Sequence, residues 1–159
     1  MHFIFDLDHT VVDSSHRQLT DINGSLDLAH WRENCTREKI MRDSLLPLAE
    51  TMQGYIKSGV SVVICTARVL GEHDIEFLRT NGLHTPHILS RAEGDCSRDD
   101  ALKTRLLGDF AKSLGLEWRD FAESSVMFDD NASVLRAMDR LGIDAIDAIE
   151  LNNELRGMK

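Results

Sequence analysis

Phe3-Ile4-Phe5-Asp6-Leu7-Asp8-His9-Thr10 decides how the rest of the chain is read: an apolar run too greasy to face water, ended by two carboxylates one residue apart. Such a run belongs inside a parallel sheet covered on both faces, and the ligands of such sheets collect at the carboxyl ends of the strands. Asp6 and Asp8 are therefore expected in a functional crevice.

Outward from this stretch, strands and helices alternate. The first strand is predicted over residues 3–7. A helix follows over residues 36–57, with Ile40, Leu45, Leu48, Met52 and Ile56 at roughly helical spacing, ending near Ser58-Gly59. Val60 to Cys65 is β-branched and apolar, a second buried strand. Glu72 to Asn81 suits a helix closed by Gly82, and His87 to Leu89 a short third strand. Asp99 to Leu114 is expected as a helix, Ser125 to Phe128 as a strand, Ala132 to Leu141 as a helix before Gly142, and Ile143 to Ala148 as a last strand. The pattern predicts an α/β fold, a doubly wound parallel sheet. Residues 14–35 are irregular, with an Asn23-Gly24 turn and Trp31 as an apolar anchor or base-stacking surface, and are expected to form a minimal cap over the crevice.

Composition limits the function. At 159 residues, 42% of them hydrophobic, the chain suits one domain spanning residues 1–159. No basic segment or long apolar stretch precedes the first strand, so neither a signal peptide nor a membrane span is expected, and a cytoplasmic location is. Cys35, Cys65 and Cys96 are odd in number and lack CxxC spacing, which argues for reduced thiols. The net charge of −9 makes a grip on a long duplex unfavourable, although Arg32, Arg37, Lys39 and Arg42 outnumber Glu33 and Glu38 in residues 30–42. A nucleic-acid end or a mononucleotide is the easier polyanion.

The strand ends carry the chemistry. The first delivers Asp6 and Asp8, the second Thr66-Ala67-Arg68, and the fourth Asp129-Asp130-Asn131, all at one sheet edge. Four acids in one crevice repel one another unless a cation sits among them, and an all-oxygen donor set favours magnesium. Thr66 can donate a hydrogen bond, and Arg68 or Lys103 can balance negative charge. Acids, cation, hydroxyl and base together suit a phosphoryl group.

In this order, Asp6-x-Asp8-x-Thr10, Thr66, Lys103 and Asp129-Asp130 resemble the four motifs of the haloacid dehalogenase (HAD) superfamily, a Rossmannoid group that includes many magnesium phosphatases. The set is also similar to the 3'-phosphatase domain of phage polynucleotide kinase/phosphatase, through Arg17, Arg68, Gly94-Asp95 and Asp99-Asp100-Ala101-Leu102-Lys103. No GxxxxGK[ST] loop occurs in these residues, so phosphatase without kinase is expected. His9 departs from the small residue common at its position.

The resemblance implies a magnesium-dependent phosphomonoesterase that acts through an aspartyl phosphate. Asp6 would be the nucleophile, Asp8 the acid and base, and Thr66 and Lys103 the holders of the phosphoryl oxygens. Arg17, Arg68, Thr10 and Asp99 would lie on the substrate side, and Mg2+ would be held by Asp6, the Asp8 carbonyl, Asp129 and Asp130. Crowding is expected to push the Asp8 carboxyl upward while Asp6 stays ionised. The implied substrate is a 3'-phosphate on a nucleic-acid end or nucleotide, with a 5'-nucleotidase or small-molecule phosphatase as the alternative and a silent phosphate-binding module behind both. Blander roles exist for single residues: Lys103 in an i, i+4 pair with Asp99, Thr66 as a turn cap, Arg68 paired with Glu72, and Arg17 solvated. A receiver domain has its lysine last, whereas Lys103 here precedes the late acidic pair.

Overall fold

The computed structural model describes residues 1–158; Lys159, the end of the expected domain, lies outside the described residues. The apolar run forms β1 (His2–Phe5), which sits at the centre of a five-stranded parallel sheet. β4 (Ser61–Thr66) and β6 (Ser125–Asp129) flank it, with β5 (His87–Ser90) and β7 (Asp144–Asp147) at the edges. Phe5 pairs with Ile64 on one side and Phe128 on the other, so the residues one step further, Asp6, Cys65 and Asp129, lie level with one another at the carboxyl end of the sheet. That register assembles the site.

Alternation along the strands fills two cores, because successive side chains point to opposite faces. Phe5, Val62, Ile64 and Phe128 pack with Leu48, Met52, Phe77 and Ala148 on one face. Ile4, Val63, Cys65 and Met127 pack with Leu107, Phe110, Phe121, Val134 and Met138 on the other. The first layer uses α3 (Leu48–Lys57), α4 (Glu72–Thr80) and α8 (Ala148–Gly157); the second uses α5 (Asp99–Ser113), α6 (Trp118–Glu123) and α7 (Ala132–Arg140). With both faces covered, the fold is the doubly wound α/β Rossmannoid that the alternation of strands and helices predicts.

One long helix expected from the sequence does not form. Residues 36–57 divide into α2 (Arg37–Ile40), the short strand β3 (Ser44–Leu45) and α3. Pro47 disfavours helical backbone at Leu46 before it, and β3 pairs antiparallel with β2 (Val12–Asp13), while the Leu46 N–H donates to the Val11 carbonyl at 3.0 Å. Leu45, counted among the apolar positions of the expected helix, is exposed. The last strand is also shorter than expected, since the Asp147 carboxylate accepts from the Ile149 N–H at 2.8 Å and starts α8.

The cap is minimal. A 3-10 turn (Ser15–Arg17), a bridge between Thr20 and Leu26 around the Gly24 turn, and α1 (Leu28–Glu33), capped by Asp27, carry the chain over the sheet edge. Among the described residues no helix is long and apolar enough to cross a membrane.

Candidate active site

Asp6 and Asp129 emerge side by side from β1 and β6, and Lys103, from the second turn of α5, reaches between them. Its Nζ lies 2.9 Å from Asp6 Oδ1 and donates to Asp129 Oδ2 at 2.6 Å. All three residues are buried. Asp129 also accepts the Asn131 N–H at 2.9 Å, which turns the chain into α7. The Asp130 carboxylate completes an acidic trio: one oxygen from each of Asp6, Asp129 and Asp130 lies within 4.8 Å of the others.

The electrostatics of this trio are unbalanced. Burial pushes the Asp6 carboxyl up to about 6, with Asp129 and Asp8 adding to the rise and Lys103 opposing it. Burial also lifts Asp129, and it lifts Asp130 to about 6 with repulsion from Asp6 behind it. Lys103 shifts upward despite its burial, because the charges of Asp6 and Asp129 outweigh desolvation. Three carboxylates against one ammonium leave negative charge uncompensated, and the donor set is all oxygen, the chemistry that hard divalent cations select. The residues present fit such an ion.

Asp8 lies apart from the trio, and its electrostatics reverse the expectation. Its oxygens accept Arg68 Nε at 3.0 Å and Arg68 Nη2, and Ser14 Oγ donates to Oδ1 at 2.5 Å. Burial would raise the carboxyl, but the Arg68 charge and these hydrogen bonds hold it below the usual carboxylate range. Asp6, expected to stay ionised, is the acid that rises. The reason is geometric: Arg68 meets both oxygens of Asp8 through Nε and Nη2, whereas the single ammonium of Lys103 is shared between Asp6 and Asp129.

Arg68 is buried and pairs with Asp74 at 2.8 Å, not with Glu72. Asp74 in turn accepts the Gly71 N–H at 2.8 Å at the start of α4. Arg17 is neither solvated nor open: it is 2% exposed and forms a two-point pair with Asp43, Nε to Oδ1 and Nη2 to Oδ2 both at 2.8 Å. Its guanidinium lies 4.2 Å from the Trp31 ring centroid, and that of Arg68 5.4 Å, so Trp31 anchors the cap on both arginines. Asp99 does not pair with Lys103; it accepts from Arg91 Nη2 at 2.9 Å and from Asn131 Nδ2 at 3.4 Å. Thr66 is buried at the end of β4, the strand next to β1, and its oxygen accepts the Arg68 N–H at 3.1 Å, which leaves its hydrogen to donate. Thr10 is fully buried, and its hydroxyl finds no partner among the described residues.

His9 has a backbone φ of 59°, left-handed and unusual for a residue with a Cβ. Such a position costs roughly 1–2 kcal/mol for an L-residue, which is why a glycine suits it. Residues outside the motifs complete the frame: Asp43, Asp74, Arg91, Ser14 and Asn152. Asp43 was hidden inside the expected helix; Asp74 alone carries a local sign, sitting three residues after Gly71 at a helix start.

A parallel sheet in this order, with an aspartate pair after the central strand, a lysine bridging to the acids of a neighbouring strand and a small cap, defines a HAD-like hydrolase of the phosphatase kind. The family model for the bacteriophage T5 5'-deoxynucleotidase matches residues 1–158. The chain belongs to that family. It is 31% identical over 173 aligned residues to the 5'-deoxynucleotidase of Escherichia phage T5, covering 96% of this chain and 68% of that protein. Solved structures share the fold at lower identity: a haloacid dehalogenase-like hydrolase from Streptococcus pneumoniae, with a TM-score of 0.63 at 13% identity over 95% of this chain and 90% of that one. A HAD-superfamily hydrolase from Geobacter sulfurreducens gives 0.61 at 14% over 92% and 88%.

These findings correct the resemblance to the 3'-phosphatase domain of polynucleotide kinase/phosphatase, and with it the 3'-phosphate as leading substrate. Asp6, Asp8, Thr66, Lys103 and the Asp129-Asp130 pair carried the resemblance to the superfamily as a whole, and the arginines behind the narrower one, Arg17 and Arg68, are buried against Asp43, Asp8 and Asp74. They do not encode which ester is cut.

Proposed function

We propose that this protein is a magnesium-dependent 5'-deoxynucleotidase that hydrolyses deoxynucleoside 5'-monophosphates through an aspartyl phosphate on Asp6. The carrying observation is the family match over residues 1–158, which includes every residue of the trio. The buried Lys103 bridge between Asp6 and Asp129 supports it, since an ammonium there keeps a nucleophilic carboxylate ionised in a site that would otherwise protonate it.

In this reading Asp6 attacks phosphorus; the Asp6 O–P bond forms as the P–O5' bond breaks, and the electron pair stays on the leaving oxygen, which takes a proton from Asp8. A water then attacks phosphorus, Asp8 takes its proton, and the Asp6 O–P bond breaks to release phosphate. Asp6, Asp129 and Asp130 would hold Mg2+, with the Asp8 carbonyl as a further donor; when bound, it supplies positive charge to the trio and the phosphoryl oxygens. Lys103 and the Thr66 hydroxyl face those oxygens. Arg68 carries the conflict between the lowered Asp8 carboxyl and its role as an acid. A phosphate dianion competes for the guanidinium, and an Asp8 that loses its cation regains affinity for a proton. Arg17, through Asp43 and Trp31, holds the cap against the site, and Asp99, through Arg91 and Asn131, holds the loop before α5.

The test is phosphate release from a 5'-deoxynucleotide, its 3'-phosphate isomer and the matching 5'-ribonucleotide, with Mg2+ or with chelator. The 5'-deoxynucleotide is expected to show the highest kcat/KM and to need the metal. Asp6→Asn should abolish turnover with an unchanged circular dichroism spectrum. Equal rates on the 5' and 3' isomers would overturn the substrate assignment, and activity retained by Asp6→Asn would overturn the covalent scheme.

A further inference from the structure

Asp8 is joined to three residues that the proposed reaction leaves unused. Ser14, fully buried, donates from Oγ to Asp8 Oδ1 at 2.5 Å. Gln18 Nε2 donates to Ser14 Oγ at 3.0 Å. His9 Nε2 lies 3.0 Å from Gln18 Oε1. The direction of this chain is forced by its end: an ionised carboxylate only accepts, so the Ser14 hydrogen points at Asp8 and its lone pairs face Gln18. The Gln18 carbonyl then faces His9, whose hydrogen must sit on Nε2.

The chain distinguishes the two oxygens of Asp8. Oδ1 accepts from Ser14 Oγ and from Arg68 Nη2, whereas Oδ2 accepts only Arg68 Nε, at 3.0 Å. Oδ2 is the oxygen with capacity left to exchange a proton. His9 holds the far end in a left-handed backbone that glycine would adopt freely, and its side chain is the part of it that touches the chain.

We infer that Ser14 and Gln18, anchored by His9, are positioning residues that fix the Asp8 carboxylate and make Oδ2 its proton-transfer atom. The inference rests on the reading of Asp8 as the acid and base of the proposed reaction. In the first half-reaction the leaving oxygen keeps the electron pair of the broken P–O bond and takes its proton from Oδ2; in the second, the attacking water gives its proton back to Oδ2. A carboxyl free to turn would present the wrong oxygen part of the time, and catalysis by a positioned acid depends on that geometry.

Two aryl phosphates separate positioning of an acid from packing. The phenolate of phenyl phosphate leaves slowly without a proton, whereas p-nitrophenolate leaves readily without one. Ser14→Ala, and Gln18→Met as a variant at a half-buried site, are expected to lower kcat/KM, which reports transfer to Asp6 and not the shared hydrolysis of the aspartyl phosphate, by about tenfold on phenyl phosphate and by about twofold or less on p-nitrophenyl phosphate. Ser14→Thr, which keeps a hydroxyl, should recover most of the loss. Equal losses on the two substrates, or no loss on either, would overturn the inference and make the chain a packing feature. Neither substrate contains a nucleoside, so failure to cleave a 5'-deoxynucleotide would refute the substrate assignment alone. Wild-type protein that cleaves neither aryl ester would remove the role of Asp8 and this inference with it.

Discussion

Lys103→Met removes the buried cation between Asp6 and Asp129 while keeping a side chain of similar length. The wild-type ammonium is 2% exposed and lies 2.9 Å and 2.6 Å from the two carboxylates, one of them wholly buried. Deleting one member of a buried ion pair costs about 3–5 kcal/mol, because the remaining charge keeps its desolvation penalty without its partner. For a domain of this length each kcal/mol moves Tm by roughly 2–4 °C. The variant should therefore melt about 10 °C below wild type in chelator at pH 7.5. The sign with pH follows from the carboxylates. Asp6 titrates near 6 even with the lysine present, so at pH 5 it holds a proton and needs no cation. The deficit should shrink to less than half there. Mg2+ at pH 7.5 should recover part of it by supplying positive charge to the same trio, whereas phosphate release should fall about 10²–10³-fold and stay low. Differential scanning calorimetry at the two pH values, with chelator and with Mg2+, provides the measurement. An unchanged Tm at pH 7.5, or the same deficit at both, would refute the electrostatic account of the trio.

Asn152 reaches from α8 across the molecule, accepting the Leu48 N–H at 2.8 Å and donating to the Thr10 carbonyl at 2.9 Å. Asn152→Ala orphans both buried groups and should cost about 2–4 kcal/mol in urea unfolding at constant m; a loss below about 1 kcal/mol would show that water replaces the amide. For the metal-free wild-type protein, Asp6 and Asp130 are both raised from 3.8 to about 6, so the native state binds more protons than the unfolded chain between those values. Their contribution to stability is full below about 4 and is lost as pH rises through about 6. Urea midpoints in chelator should fall from pH 4.5 to 7, and Mg2+ should flatten the fall; a midpoint that rises over this range in chelator would contradict the raised carboxyls.

The central strand, its two carboxylates and the alternation of strands and helices were readable because they are local. Phe3 to Phe5 cannot face water, and Gly59, Gly82 and Gly142 end their helices with positive φ of 75°, 67° and 89°. The strand ends carrying Thr66 and Asp129-Asp130 were readable for the same reason. Residues 36–57 misled, since helical spacing of apolar residues survives a break at Pro47, and only the pairing of β3 with β2 reveals that the chain is extended there. Trp118–Glu123 and Ala148–Gly157 gave too little periodicity to be read as α6 and α8.

The sequence by itself determined which groups reach the crevice: the order of apolar runs dictates a parallel sheet, and a parallel sheet places Asp6, Asp8, Thr66 and Asp129 at one edge. Only the tertiary structure decided how those groups are paired. Lys103 passes over Asp99, four residues away, for Asp6 and Asp129, and Arg17 finds Asp43, because the best partner of a buried charge is whatever opposite charge the fold buries beside it. Asp8 is held low and Asp6 raised for that reason. Spacing along the chain carries no information about such pairs, since burial and cross-chain contact exist only once the sheet has closed.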